Sequence, residues 1–320
     1  SDKGIGYGIE SVTLDGNNVI EVYSSIKEIR KKILKRPRPF LVEFKTFRMR
    51  GHEEASGIKY VPEKLLNDWK EKDPISNYEK FLLDSKILNI NDIKVIKKEI
   101  SNNIEKSLSK SFEEKKIESN IENEISDVYK DFNFEKINRS EKIVEKRFVD
   151  AISDGLKESM HKFNDMIIMG QDIAEYGGVF KITEGFIELF GKERVRNTPI
   201  CESSIIEIAM GLSICNRKSI VELQFSDFIT SGFNPVVNYL AKVHYRWGQN
   251  ADVVLRMPCG AGVGAGPFHS QTNEAWFTKT PGLIVVYPAF PEDAKGLMIS
   301  SIENPNPVLF FEHKALYRSI

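Results

Sequence analysis

Hydrophobic residues at Val22, Ile26, Ile29 and Ile33 recur at helical spacing and predict a helix over residues 19–35, with Lys and Arg crowding its last turn as the helix dipole prefers. Pro37 and Pro39 stop it. Ile9 to Leu14 reads as a strand and Asp15-Gly16-Asn17-Asn18 as a turn. Phe40-Leu41-Val42-Glu43-Phe44 is a nearly continuous apolar strand, as in a parallel sheet covered on both faces. Strand, helix, strand in this order is a βαβ unit. Its last strand runs into Arg48, Arg50, His52, Glu53 and Glu54, at the strand end where open α/β sheets place ligands. A histidine among two arginines and two glutamates reads equally as a solvated loop, and both readings stand on the residues alone.

The pattern then changes in kind. No proline falls between Pro74 and Pro199, and no glycine between Gly57 and Gly155, so nothing punctuates the helices. Leu82, Leu83, Ile87, Leu88, Ile93, Ile96, Ile100, Ile104 and Leu108 give a broken helical period among charges of both signs. Helices followed by a loose Lys/Glu/Asn-rich linker from about Ser109 to Ser140 are expected, with no chemistry there. From Glu141 onward the alternation is α/β again. Strands are predicted at 166–170, 194–197, 219–225, 253–256, 283–286 and 308–311, with helices at 148–157, from Ser203, 234–245 and 291–302. Short apolar strands alternating with helices predict a doubly wound parallel sheet.

Composition narrows the function classes. Lys plus Arg number 45 against 46 for Asp plus Glu, so no global field recruits nucleic acid or an anionic membrane. No apolar run reaches the ~18 residues of a membrane span. Cys201, Cys215 and Cys259 form no CxxC pair, which fits free thiols in a reducing, cytoplasmic setting and neither a disulfide framework nor a zinc site. The chain begins at Ser1 without an initiator Met and ends at Ile320 just past a strand-like run, which is expected of a piece of a longer polypeptide.

Gly260-Ala261-Gly262-Val263-Gly264-Ala265 matches the dinucleotide fingerprint, but Gly266-Pro267-Phe268-His269 follows where a helix is required, so a nicotinamide site is rejected. The glycines instead let a backbone loop approach a ligand or a neighbouring chain. His269-Ser270-Gln271 follows that loop, with better access to a substrate than most histidines have. No GxSxG elbow, HExxH or Walker loop is present. The densest chemistry lies in Asn197-Thr198-Pro199-Ile200-Cys201-Glu202. There Glu202 precedes an apolar run to Leu212 that suits a buried helix. With Ile200 and Cys201 behind it, this carboxylate is expected to have few waters and a raised proton affinity unless something pairs with it. On this stretch alone, complementing the positive end of the helix is the simpler role.

These landmarks resemble a known family. Met169-Gly170-Gln171-Asp172-Ile173-Ala174, Gly177-Gly178-Val179-Phe180, Asn197 to Glu202, Gln224-Phe225, His269-Ser270-Gln271, Pro281-Gly282 and Phe311-Glu312 resemble the β subunit of thiamin-diphosphate-dependent 2-oxo acid dehydrogenases. Gly6-Tyr7-Gly8, Asp15-Gly16-Asn17, Arg48, Gly51-His52 and Asp73-Pro74-Ile75 resemble the later part of the α subunit. The order suggests a fused E1 component of branched-chain or pyruvate type. The resemblance implies doubly wound parallel sheets of the thiamin-diphosphate-binding, transketolase-like fold. Residues 1–83 would be the later part of the diphosphate-binding domain, 84–144 a helical, charged linker, and 145–320 the pyrimidine-binding domain.

By the same resemblance Glu202 hydrogen-bonds the aminopyrimidine of the cofactor, which turns the reading of that residue from helix capping to catalysis. Ile200, Gln224 and Phe228 would pack the pyrimidine, with Phe228 replacing a frequent tyrosine. His52 and His269 would handle the intermediate and pass the acyl group to lipoamide, with Arg48 supporting His52. The implied partners are a 2-oxo acid, the lipoyl domain of the dihydrolipoyl acyltransferase (E2) and further copies in a homo-oligomer, with no nucleic acid and no membrane. Glu53 stands where mitochondrial relatives carry a regulatory serine, and a permanent charge there argues against kinase control. Asn304 and Asn306 fall where relatives supply a potassium ligand, with Asn for Asp at the first, which leaves that ion open. The G-D-G…N motif that holds Mg²⁺ and the diphosphate is absent, so it is expected before Ser1, and a further domain is expected after Ile320. These 320 residues alone are therefore expected to be inactive. The rival reading is a non-catalytic binding or scaffolding fragment of the same fold.

Overall fold

The structure, a computed structural model, describes residues 1–53, 55–134 and 141–320. Glu54, in the expected charge cluster, and 135–140, in the expected linker, lie outside the described residues. The chain divides into two compact units, Ser1–Ile117 and Glu118–Ile320.

In the first unit, strands β1 (Glu10–Asp15) and β2 (Phe40–Lys45) pair in parallel, Glu10 opposite Phe40. The crossover helix Val19–Lys35 has the predicted bounds. Asn18 caps it by accepting the Glu21 N–H at 3.2 Å, and Arg36 is held extended ahead of Pro37. The expected two-sided burial of β2 is not found. Its residues are half-buried or exposed, because a two-stranded sheet offers one helix and little else to cover it. Helices Glu63–Lys70, Pro74–Asp84 and Ile90–Glu113 follow, none with a buried residue. The longest is started by a capping box in which Asn89 and Asp92 satisfy each other's backbone N–H. It runs past Ser109 into the stretch expected to be loose, and a second helix forms at Ile121–Ser126.

Among the described residues the second unit holds six parallel strands, β3 (Ile167–Gly170), β4 (Val195–Asn197), β5 (Ser219–Glu222), β6 (Val253–Cys259), β7 (Ile284–Val286) and β8 (Val308–His313), in the order β4-β3-β5-β6-β8-β7. Alternation along the strands feeds two separate cores. Val221, Leu255, Leu309 and Phe311 join Ile205, Ile206 and Ala209 of the helix Glu202–Ile214. Ile168, Ile220, Val254 and Phe310 join the helices Phe148–Lys162 and Pro291–Glu303 on the other face. These last two helices approach closely at Gly155, where an added Cβ would stand 3.1 Å from the Lys295 carbonyl oxygen. Helices on both faces of a parallel sheet make this the doubly wound α/β arrangement expected.

Two local expectations fail. Residues 234–245 do not form one helix. Pro235–Leu240 makes wide turns, the Ala241 N–H reaching the Val236 carbonyl at 3.0 Å, and a separate short helix spans Val243–Trp247. The helix after Pro199 is not buried throughout, since Ile208 and Ile214 are exposed and only one side of it meets the sheet.

Candidate active site at the carboxyl ends of the strands

Thr198 is fixed by its N–H to the Gly170 carbonyl at 2.9 Å, and the chain turns through Pro199 into the helix that opens with Glu202 as its first residue. The Glu202 carboxylate thus complements the helix amino end, and its Oε2 accepts the Ser231 hydroxyl at 3.2 Å. Ser231 follows the short turn Ser226–Thr230, which carries Phe228. The water-poor setting expected for Glu202 is not supplied by this unit. Glu202 is half-buried and Ile200 is 85% exposed, because of the two apolar residues before Glu202 only Cys201 packs against the core. Among the described residues Glu202 has no ion-pair partner.

Beside it, three aromatic rings close on one another. Phe225 lies 5.6 Å from Phe228 and 4.9 Å from His269, and Phe228 lies 5.4 Å from His269, all edge-to-face. The His269 loop is stapled to the Phe228 turn through Gln271. Its N–H donates to Asp227 Oδ1 at 3.2 Å, and its carbonyl accepts from the Ser226 hydroxyl at 3.3 Å and the Gly260 N–H at 2.9 Å. Asn273 adds a bond to the Ser226 carbonyl at 2.9 Å. The glycine loop does make a close approach, but to the unit's own His313 and not to the ligand or neighbouring chain expected: a Cβ on Gly260, at φ +76°, would stand 2.3 Å from His313 Nε2. A three-residue turn, Pro267–His269, follows it in place of a helix.

The structure therefore gathers Glu202, Phe228 and His269 on one side of the second unit, with half-buried Gln224 just past β5 beside Phe225. Ile200 joins no described contact there. Arg48 and His52 belong to the first unit. There Arg48 lines a surface depression with Phe47, Arg50, Tyr60 and Leu65, and His52 is exposed. Among the described residues no group of three or more His, Cys, Asp or Glu could hold a metal ion. Asn304 Oδ1 accepts both the Asn306 backbone N–H and its side-chain Nδ2, each at 2.9 Å.

Sequence reasoning missed a second group of charges. Glu222, Arg256 and Glu312, on β5, β6 and β8, are fully buried. Arg256 Nη1 donates to Glu222, its Nη2 donates to Glu312 Oε2 at 2.9 Å, and its Nε lies 2.6 Å from Glu312 Oε1. The Tyr317 hydroxyl donates to Glu312 at 2.6 Å. Burial pushes the Glu222 carboxyl up, with the Glu312 charge acting the same way against the pull of Arg256. The available signals were Glu222 and Arg256, charged residues in otherwise apolar strands. The three cysteines are free, and burial pushes the Cys259 thiol up to about 11.

Residues 145–319 match the family described as transketolase, pyrimidine binding domain, more than half of the chain. The chain belongs to this family. Residues 1–120 match a second description, dehydrogenase E1 component, so one polypeptide carries parts of both. A pyrimidine-binding family member of this kind is similar to the 2-oxoisovalerate dehydrogenase subunit beta of Bacillus subtilis (strain 168), at 42% identity over 54% of this chain and 54% of that one. It is also similar to the 2-oxoisovalerate dehydrogenase subunit beta 2, mitochondrial, of Arabidopsis thaliana, at 43% over 52% and 48%. The pyruvate dehydrogenase E1 component subunit beta of Staphylococcus epidermidis matches at 40% over 53% of each. The chain spans about half the length of the curated relatives it matches. The resemblance to thiamin-diphosphate-dependent 2-oxo acid dehydrogenase E1 components and to the transketolase-like α/β fold is thereby shown. No helix among the described residues is long and apolar enough to cross a membrane.

Proposed function

We propose that the chain is part of a fused E1 component that decarboxylates a 2-oxo acid, branched-chain or pyruvate, and passes the acyl group to lipoamide on the lipoyl domain of the E2 acyltransferase. The observation that carries this is the pairing of both family matches in one chain with a carboxylate, Glu202, set at a helix start beside the Phe228–His269 rings. These residues fit an aromatic amine. A carboxylate with one hydroxyl donor keeps capacity to accept a further N–H, and the rings offer flat apolar edges. When bound, thiamin diphosphate supplies a positively charged ring that takes up the electrons left as CO₂ departs.

In this reading Glu202 holds a proton against the aminopyrimidine, while Gln224, Phe228 and Ile200 pack it. His269 and His52 move protons as the acyl group leaves for lipoamide, with Arg48 supporting His52. The Ile200 side chain, 85% exposed here, meets its packing only in the assembled homo-oligomer. Mg²⁺ is held by residues outside this chain, which has no G-D-G…N motif, and the isolated 320 residues do not turn over. The free thiols support a reducing, cytoplasmic setting.

The test supplies the longer protein with thiamin diphosphate, Mg²⁺ and either pyruvate or 2-oxoisovalerate. Glu202→Gln is expected to lower decarboxylation by at least about 10²-fold, the usual yield of a positioned acid or base. An unchanged rate removes Glu202 from the mechanism. No decarboxylation by the parent favours the non-catalytic scaffold, and turnover by the isolated 320 residues overturns their proposed incompleteness.

A further inference from the structure

Residues 118–134 read as solvated linker, yet they fold with the second unit, and at one point they are held by an arrangement too specific for chance packing. Asn306, 4% exposed, accepts the Lys130 N–H on Oδ1 at 2.8 Å and donates from Nδ2 to the Lys130 carbonyl at 2.9 Å. One side-chain amide thus takes both backbone groups of one residue, the pairing a neighbouring β-strand would give. The amide cannot be reversed. Its second Nδ2 hydrogen points at Asn304 Oδ1, at 2.9 Å, and that oxygen only accepts, which forces Oδ1 of Asn306 toward the Lys130 N–H. Both Nδ2 hydrogens and the Oδ1 of the Asn306 side chain are then engaged.

Neighbouring contacts extend the hold. The Tyr129 hydroxyl donates to the Leu283 carbonyl at 3.2 Å, just before the edge strand β7, and Val128 is half-buried. The Lys130 charge acts on Asp252, which also pairs with Lys218 at 2.8 Å. Six residues upstream, Glu124 in the helix Ile121–Ser126 accepts the Tyr245 hydroxyl. The anchors meet the sheet at the Pro307–Val308 and Leu283–Ile284 ends, where strands β8 and β7 begin. The Glu202–His269 group lies at the opposite ends of the strands.

We propose that residues 124–130 are a strap, read through its backbone by Asn306, that docks on the second unit and sets the free length of the tether between the two units. Undocked, the tether would run from the end of the helix at Glu113 to the helix start at Phe148, about 34 residues, or up to roughly 110 Å at full extension. Docked, about ten residues remain free, or roughly 35 Å. Docking thus shortens the free tether to about a third of its undocked length. The strap is thus the part of a sequence-unremarkable linker that fixes how much of it stays free between the two units. This does not depend on the proposed reaction.

The test is residue-resolved amide hydrogen exchange on the full 320-residue chain. In the parent, the Lys130 amide is expected to exchange at least about 100-fold more slowly than amides at 114–120. In Asn306→Leu, of the same branched shape but unable to hydrogen-bond, that protection is lost while the Val254 and Leu255 amides of β6 stay protected. A Lys130 amide that exchanges as fast as 114–120 in the parent overturns the strap. One that stays slow in Asn306→Leu overturns Asn306 as its reader. Should Asn306→Leu lose protection throughout, trypsin decides on the parent alone: cleavage at Lys115 and Lys116 with Lys130 spared supports the strap, and equal cleavage at Lys130 overturns it.

Discussion

Glu202 and Glu222 belong to the same unit and flank the same parallel sheet, yet the fold treats them in opposite ways. Glu222 is sealed among charges, its carboxylate tied to Arg256, which in turn grips Glu312, with Tyr317 completing the group. Glu202 stands half-buried with one hydroxyl partner from an exposed serine. A carboxylate whose lone pairs are filled by its own fold is structural. One left with spare acceptor capacity beside aromatic rings is available to a ligand. The difference separates two roles for one residue type without appeal to its neighbours in sequence.

The largest effect should come from breaking the sealed group. Arg256→Met leaves two carboxylates facing each other in the core, and removal of one partner from a buried pair costs about 3–5 kcal/mol. At roughly 2–4 °C per kcal/mol for a unit of this size, the melting temperature followed by near-ultraviolet circular dichroism should fall by about 6–20 °C. A shift within about 2 °C would mean that water reaches the group and that Glu222 is no more sealed than Glu202. Replacing Glu222, Arg256 and Glu312 together by apolar residues of similar volume should recover most of the loss, because no unpaired charge then remains.

What could be read from the chain follows how local each cause is. The helix Val19–Lys35 was legible to the residue, since its apolar period, its Asn18 cap and Pro37 all lie within it or beside it. The six strands of the second unit were legible as apolar runs, although their bounds shifted by a few residues where pairing, not hydropathy, sets the end. Arg256 was visible only as part of a strand, because its partners stand 34 and 56 residues away. The strap was illegible for the same reason. Its Lys/Glu/Asn-rich composition predicts solvation, and the Asn306 amide that orders it lies 176 residues downstream. Around Glu202, the apolar run in the sequence indicated a helix but not which of its faces the sheet would cover, so the exposure of Ile200 and Ile208 could not be foreseen.

A milder change, Glu222→Gln, keeps the shape and tests the charge. Burial raises the folded-state value of Glu222 above its ordinary 4.5. The stability that the protonated form contributes is then fully present below about pH 4.5 and is lost as pH rises through the raised value. The melting temperature of the parent relative to Glu222→Gln should therefore decline from pH 4 toward neutrality, by an amount smaller than the Arg256→Met loss. Asp252, also raised by burial, is common to both proteins and cancels in the difference. A difference that grows with pH would mean that Arg256 overrides burial and that Glu222 is charged throughout.

The smallest effect should come from the open carboxylate. Ser231→Ala removes the hydroxyl, whose single hydrogen is shared between Glu202 Oε2 at 3.2 Å and the Phe228 carbonyl at 3.0 Å. Ser231 is exposed, so water takes over both bonds, and surface changes of this kind stay within about 0.5 kcal/mol. The melting temperature should move by no more than about 2 °C. A fall approaching that of Arg256→Met would show that the Glu202 carboxylate is enclosed within its own unit and depends on Ser231 as Glu222 depends on Arg256. It would then have no capacity left for a ligand, and its assignment as the group that meets the cofactor would fail on stability measurements alone, before any turnover was assayed.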